Sequence, residues 1–307
     1  MISYFKNKEL LFVKFPIIFP IIYFLILYFF PQFETHLIFL TILFLAETHF
    51  GATWPFFLNK INYPYIVQKK VNLIIFPLAI GFLCFLGFFL FKNLFLLIFF
   101  AANVFHVTRQ SFGISNLYSE NHLEKKFSQI FIYLFNFLFF VIAFFRFYIP
   151  LISVNHLLFL NLCIILMLFV TYFTYLIKYK YSENFLIFVT GVIIFYPVCF
   201  VSNPVHAIIM GVTMHYTQYL YLTNKVNIKR QDNYFNKNFF LKYNYFYIII
   251  IYSIVMSIFS IFGKYEDSFL KTLIIIPITG QMLHFYLDSQ LWKFSEKHNR
   301  ENILKYL

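Results

Sequence analysis

Residues 71–91 read VNLIIFPLAIGFLCFLGFFLF, a run without a single charged side chain that ends at Lys92. Rising about 1.5 Å per residue, a helix of this length crosses the roughly 30 Å hydrocarbon core of a bilayer. The run is continuous rather than alternating, which excludes a barrel strand. Comparable apolar runs, bounded by charged or turn residues, lie at 10–31, 33–58, 93–113, 127–149, 155–178, 184–201, 204–223, 241–263 and 268–292. Only Ser202, Asn203 and Pro204 separate 184–201 from the next run, a tight helix-ending turn. The pattern predicts an all-α fold, a polytopic transmembrane helical bundle of about ten helices. Residues 1–307 form a single transmembrane domain in this reading, with the inner loop 224–240 as a polar connector that touches anionic headgroups.

Composition agrees. Hydrophobic residues make up 61% of the 307 and charged residues 12%, against about a quarter charged in a soluble domain. The mean hydropathy is +0.75. The 49 Phe and 24 Tyr accompany abundant Ile, Lys and Asn. That is the signature of an AT-rich coding sequence, in which Phe does what Leu does elsewhere, so an aromatic binding surface is not inferred. The net charge of +12 sits in short loops between apolar spans. Topology explains it, and no nucleic-acid partner is expected. Cys84, Cys163 and Cys199 lie in separate apolar runs with no C-x-x-C pattern, as inert buried thiols do.

Orientation follows from the basic residues. With the N-terminus inside, nineteen Lys and Arg fall on inner segments, from Lys6 to Lys305, and only Lys92, Arg146, Lys264 and Lys271 on outer ones. Both termini are therefore expected in the cytoplasm, in a plasma membrane of the bacterial inner-membrane type. The basic flank 1–14 precedes an apolar run with no small-residue cleavage site, so it reads as a retained anchor. Trp54 and Trp292 fall at inner helix ends, where an interfacial belt places them.

The polar residues inside the apolar runs carry the functional signal. Of nine histidines, His36, His156 and His206 fall near outer helix ends and His122 and His298 in inner loops. The other four, His49, His106, His215 and His284, each precede the next inner Lys or Glu by roughly 9 to 14 positions, which places them at a similar depth. They occupy four different helices, all even-numbered and so running in one direction. Four imidazoles at one level can converge on one centre. Their companions are Glu47 and Asp288, the two acidic residues well inside apolar runs. Asp288 follows His284 by four and Gln281 precedes it by three, so these share a helix face. Arg109 and Gln110 follow His106 at the same offsets, and Gln218 and Tyr219 follow His215. Glu47 and His49 are two apart and face differently on a regular helix, which makes Glu47 the weaker ligand.

Neutral imidazole with a compensating carboxylate suits a transition-metal ion. His49, His106, His215, His284, Asp288 and Glu47 are the metal-ligand candidates. Arg109 and Tyr219 are candidates for orienting a substrate's polar end. The expected chemistry is that of a membrane oxidoreductase with non-haem iron, acting on a lipid or isoprenoid-like apolar substrate and served by an electron donor. Other readings remain open at this point: b-type haem on a histidine pair, or a metal-free transporter or lipid acyltransferase using His and Asp directly. A lone intramembrane histidine also serves to join helices by hydrogen bonds, and Arg109 could pair with Glu47 or Asp288. The H-x-x-x-H and H-x-x-H-H boxes of membrane di-iron desaturases are absent.

Overall fold

The computed structural model describes residues 8–59, 62–234, 239–263 and 268–307. Lys6, Lys60, Lys237 and Lys264, used above for orientation, lie outside them. Every regular element among the described residues is helical. The helices are α1 (Ile18–Phe29), α2 (Pro31–Phe57), α3 (Tyr63–Gln68), α4 (Val71–Leu90), α5 (Lys92–Tyr118) and α6 (His122–Tyr148). They continue with α7 (Val154–Tyr179), α8 (Asn184–Cys199), α9 (Pro204–Tyr234), α10 (Phe239–Phe262), α11 (Leu270–Leu291) and α12 (Lys297–Asn302).

Seven of these, α2, α4, α5, α6, α7, α10 and α11, are long and apolar enough to cross a membrane. The other three expected spans differ for identifiable reasons. The run 10–31 breaks at Pro16, which disfavours helical geometry at Phe15. A π-helical turn, Leu10–Lys14, precedes the break and the twelve-residue α1 follows it. In α8, Pro197 lies in a 3-10 turn, Tyr196–Cys199, that closes the helix. The third, α9, is long but carries Thr213, His215, Thr217, Gln218 and Thr223, all buried. Residues 224–234, expected within a connector, continue α9 as helix.

The chain divides into two compact units, Met1–Ile38 with Val104–Gln218, and Phe39–Asn103 with Tyr219–Leu307. In the first unit, Asn121 caps α6 by accepting from the Glu124 backbone N–H at 2.9 Å. The Glu124 carboxylate accepts in turn from the Glu120 N–H at 2.7 Å. This resembles the capping box of an N-x-x-E start, except that the carboxylate accepts from the residue before the cap. Glu124 is fully buried and also accepts from Tyr175 and from Ser182. Asn184 joins this network through Ser115, Ser119 and Ser128, tying α5, α6, α7 and α8 together. Gly211 of α9 lies so close to the Ile194 carbonyl of α8 that any side chain would overlap it.

His106 owes its burial to the helical period. Val104, Val107, Thr108, Ser111, Ile114 and Ser115 line the buried side of α5 with it, while Phe105 and Arg109 are exposed. In the second unit, α10 packs on the second half of α2 and α11 packs on α4. Cys84, Phe88, Phe95, Ile275 and Ile278 form one apolar core there. A π-helical turn, Ile42–Ala46, interrupts α2 directly before Glu47. Such turns insert an extra residue and shift the helical phase, and here Glu47, His49, Phe50 and Gly51 are all buried.

Candidate metal centre

In the second unit the His49 and His284 rings lie with centroids 4.5 Å apart and planes inclined by 65°. Neither ring reaches the surface. The Thr53 hydroxyl is 2.7 Å from His284 Nδ1 and 2.8 Å from the Tyr219 hydroxyl. Tyr219 donates to Asp288 Oδ1 at 2.6 Å, and the Trp292 indole N–H donates to the same oxygen at 2.6 Å. His49 also meets the Tyr219 ring edge-on at 4.5 Å. Phe50 covers His284, its ring centroid 5.2 Å away.

Helix geometry accounts for this placement. Thr53 follows His49 by four on α2, and Asp288 follows His284 by four on α11, so each pair shares a face. Trp292 comes four residues after Asp288 again, at the end of α11. In the first unit, His106 of α5 and His215 of α9 form a second imidazole pair, with centroids 5.5 Å apart and planes inclined by 85°. Both are buried.

The spacings test what these rings could hold. An imidazole bound through nitrogen at about 2.1 Å has its centroid about 3.2 Å from the ion. Two such rings at a right angle about one ion have centroids about 4.5 Å apart, and two opposed rings about 6.4 Å apart. A haem with two axial histidines needs the opposed arrangement. The 4.5 Å edge-to-face contact between the His49 and His284 rings leaves no room for a porphyrin between them. Among the described residues, buried His and Asp side chains form groups able to bind a metal ion, and His49 and His284 fall in different groups. Thr53, Tyr219 and Trp292 supply the surrounding hydrogen bonds that orient ligands of this type.

No family model, curated protein or solved structure matches this chain. The site stands on its geometry alone.

The expected residues distribute unevenly. His49, His284, Asp288 and Tyr219 come together in one unit, and His106 and His215 pair in the other. Arg109 does not join them: it is exposed, and its charge acts on Tyr133 of α6. Among the described residues, Glu47 belongs to none of the metal-capable donor groups. Its Oε1 accepts instead from Gln281 at 3.4 Å. Gln218 donates to the Val13 carbonyl at 2.7 Å and so anchors the first π-helical turn to α9. Trp292, read as an interfacial residue, holds Asp288.

Two features had no place in the sequence reading of the site. Thr53 was missed, although its position four residues after a candidate ligand was a usable signal. His206, placed near an outer helix end, is 1% exposed and clamped between the Tyr23 hydroxyl and Glu34, each at 2.7 Å.

Proposed function

We propose that this chain is an integral membrane oxidoreductase that binds non-haem iron and acts on a lipid or isoprenoid-like substrate entering from the bilayer. The observation that carries the reading is the buried set of His and Asp side chains able to hold a metal ion, with Thr53 holding Nδ1 of His284. His106 and His215 form a second candidate imidazole pair, within the first unit. Asp288 supplies the anionic donor that offsets the charge of the cation.

Iron bound by imidazole and carboxylate supplies oxygen chemistry towards unactivated carbon. The protein's own side chains then have distinct tasks. Thr53 fixes the His284 ring, and Tyr219 and Trp292 fix Asp288. Tyr219 is therefore a positioning residue rather than a substrate contact. Phe50, with Phe285 beyond it, keeps the His284 side of the site apolar. The basic inner segments argue for ten spans with both termini cytoplasmic.

The reading is tested by supplying purified protein in lipid nanodiscs with ferrous iron, a reductant and an apolar lipid extract. Oxygen uptake and oxidised lipid, followed by mass spectrometry, are expected to depend on iron and on His284. Equal oxidation by His284→Ala and the parent chain would contradict it.

A further inference from the structure

Arg109 and Lys126 are exposed cations on two helices long and apolar enough to cross a membrane, and the metal reading uses neither. Among the described residues, neither forms an ion pair. Their helices, α5 and α6, are consecutive and joined by the short segment 119–121. The nearest acid on α6, Glu124, is fully buried and committed to Tyr175 and Ser182.

The hairpin gathers further polar groups around these two charges. The Arg109 charge acts on Tyr133 of α6, and the Phe112 and Tyr133 rings lie with centroids 6.1 Å apart. From that level α5 runs on towards the connection through Gly113 and Asn116, both exposed. On α6, Gln129 and Lys126 lie between Tyr133 and the connection, and both are exposed as well. Spacings of three and four residues keep each set on one helix face. The common rise of about 1.5 Å per residue then sets Gly113 and Asn116 near the level of Gln129 and Lys126. A Cβ on Gly113 would meet no atom within 4 Å, so open space lies one turn, ~6 Å, from Arg109.

A charge facing acyl chains without a counter-ion is costly, so an exposed arginine on a membrane helix calls for an anion. The groups on this face all donate hydrogen bonds and none is acidic. A cation is therefore excluded. The guanidinium fork matches two oxygens of one phosphate, and an ammonium adds a second charge. The same helices also expose Phe105, Ile130 and Phe137, each by more than half. Acyl chains cover such surface, whereas a free phosphate ion would leave it bare.

We propose that this face of the α5–α6 hairpin binds the headgroup phosphate of an anionic phospholipid. Arg109 is the anchor, Lys126, Gln129 and Tyr133 add donors, and Gly113 leaves the room. The site lies wholly within the first unit and does not depend on the metal reading.

The test uses the full chain in dodecyl maltoside, stripped of lipid and titrated with dioleoylphosphatidylglycerol or with dioleoylglycerol. Native mass spectrometry counts the lipids bound per chain. The parent is expected to hold the phospholipid at least about tenfold more tightly than the diacylglycerol. Other basic segments attract phospholipid too, so the site is read as a difference between chains. Arg109→Gln is expected to hold one phospholipid fewer than the parent. Gly113→Leu is expected to lose the same one, because it fills the open space and leaves the charge. Lys305→Gln, an exposed cation of the second unit, is expected to leave that lipid bound. Arg109 is exposed, so its variant decides the matter if Gly113→Leu does not fold. An unchanged count in Arg109→Gln, or an equal loss in Lys305→Gln, would overturn the inference. Displacement of the lipid by millimolar inorganic phosphate would assign the site to the free ion and overturn it as well.

Discussion

Thr53 Oγ1 lies 2.7 Å from Nδ1 of His284, with both residues fully buried. The bond fixes the rotation of the imidazole and commits Nδ1, so Nε2 is the nitrogen assigned to an ion. The same hydroxyl reaches Tyr219, which in turn holds Asp288. One small side chain thus couples a candidate imidazole ligand to a candidate carboxylate ligand.

Replacing Thr53 by Val keeps its shape and removes its hydroxyl. Partners of this kind typically contribute 10–100-fold to metal affinity, so Thr53→Val is expected to weaken iron binding by about that factor. Thr53→Ser is expected to retain it. A chelator-competition titration of both variants measures the difference, and equal affinities would show that the hydroxyl does not position His284.

The four intramembrane histidines are expected to behave as a set. His49→Ala, His106→Ala, His215→Ala and His284→Ala should each strip most of the bound metal, whereas His156→Ala and His298→Ala should leave it unchanged. Metal analysis of the six purified variants checks this. Metal retained in His106→Ala and His215→Ala but lost in the other two would confine the centre to the second unit.

Long apolar runs made the helical, membrane-spanning character legible in the sequence, and the histidines stood out because polar groups are costly at that depth. What the sequence reading lacked was helical phase across neighbours. Arg109 sits three residues after His106, but the buried stripe of α5 passes through Thr108 and Ser111 and leaves Arg109 outside. Gln281 shares a face with Asp288 by spacing, yet its partner Glu47 comes from another helix, behind a π-helical turn that spacing rules do not anticipate. Glu124 lies between the apolar runs 93–113 and 127–149. The Asn121-x-x-Glu124 cap was a readable signal for it, whereas its burial depends on Tyr175, Ser182 and Asn184 from distant parts of the chain.

Glu124 provides a stability prediction independent of metal. Glu124→Ala leaves the Tyr175 and Ser182 hydroxyls and the Glu120 N–H without their shared acceptor. The expected loss is about 3 kcal/mol, given roughly 1–3 kcal/mol for each buried group left unsatisfied. Thermal unfolding in detergent should show a lower midpoint, with metal per folded chain unchanged. A parallel loss of metal would mean that this network also supports the imidazoles.

His298 stacks on Tyr65, with centroids 4.2 Å apart and planes at 3°, and its Nε2 meets Asn62 Oδ1 at 2.9 Å. Burial, then the nearby Arg230 charge, hold its pKa below the ordinary value of 6.5, with Glu301 opposing them. A folded pKa below the unfolded one means that unfolding takes up a proton. The contribution of His298 to stability is therefore intact above pH 6.5 and lost as pH falls through the depressed folded value. Hydrogen exchange in 297–307, corrected for intrinsic rates, is expected to quicken on acidification, and His298→Gln should flatten that response. The same pH response in the variant would place the sensing group elsewhere.

The central claim is a non-haem iron centre built on the His49–His284 pair. Its most direct test is metal analysis by mass spectrometry, with an absorption spectrum, on protein purified in mild detergent without chelators. The account predicts stoichiometric iron and no Soret band. A Soret band, or the absence of any stoichiometric metal, would contradict it.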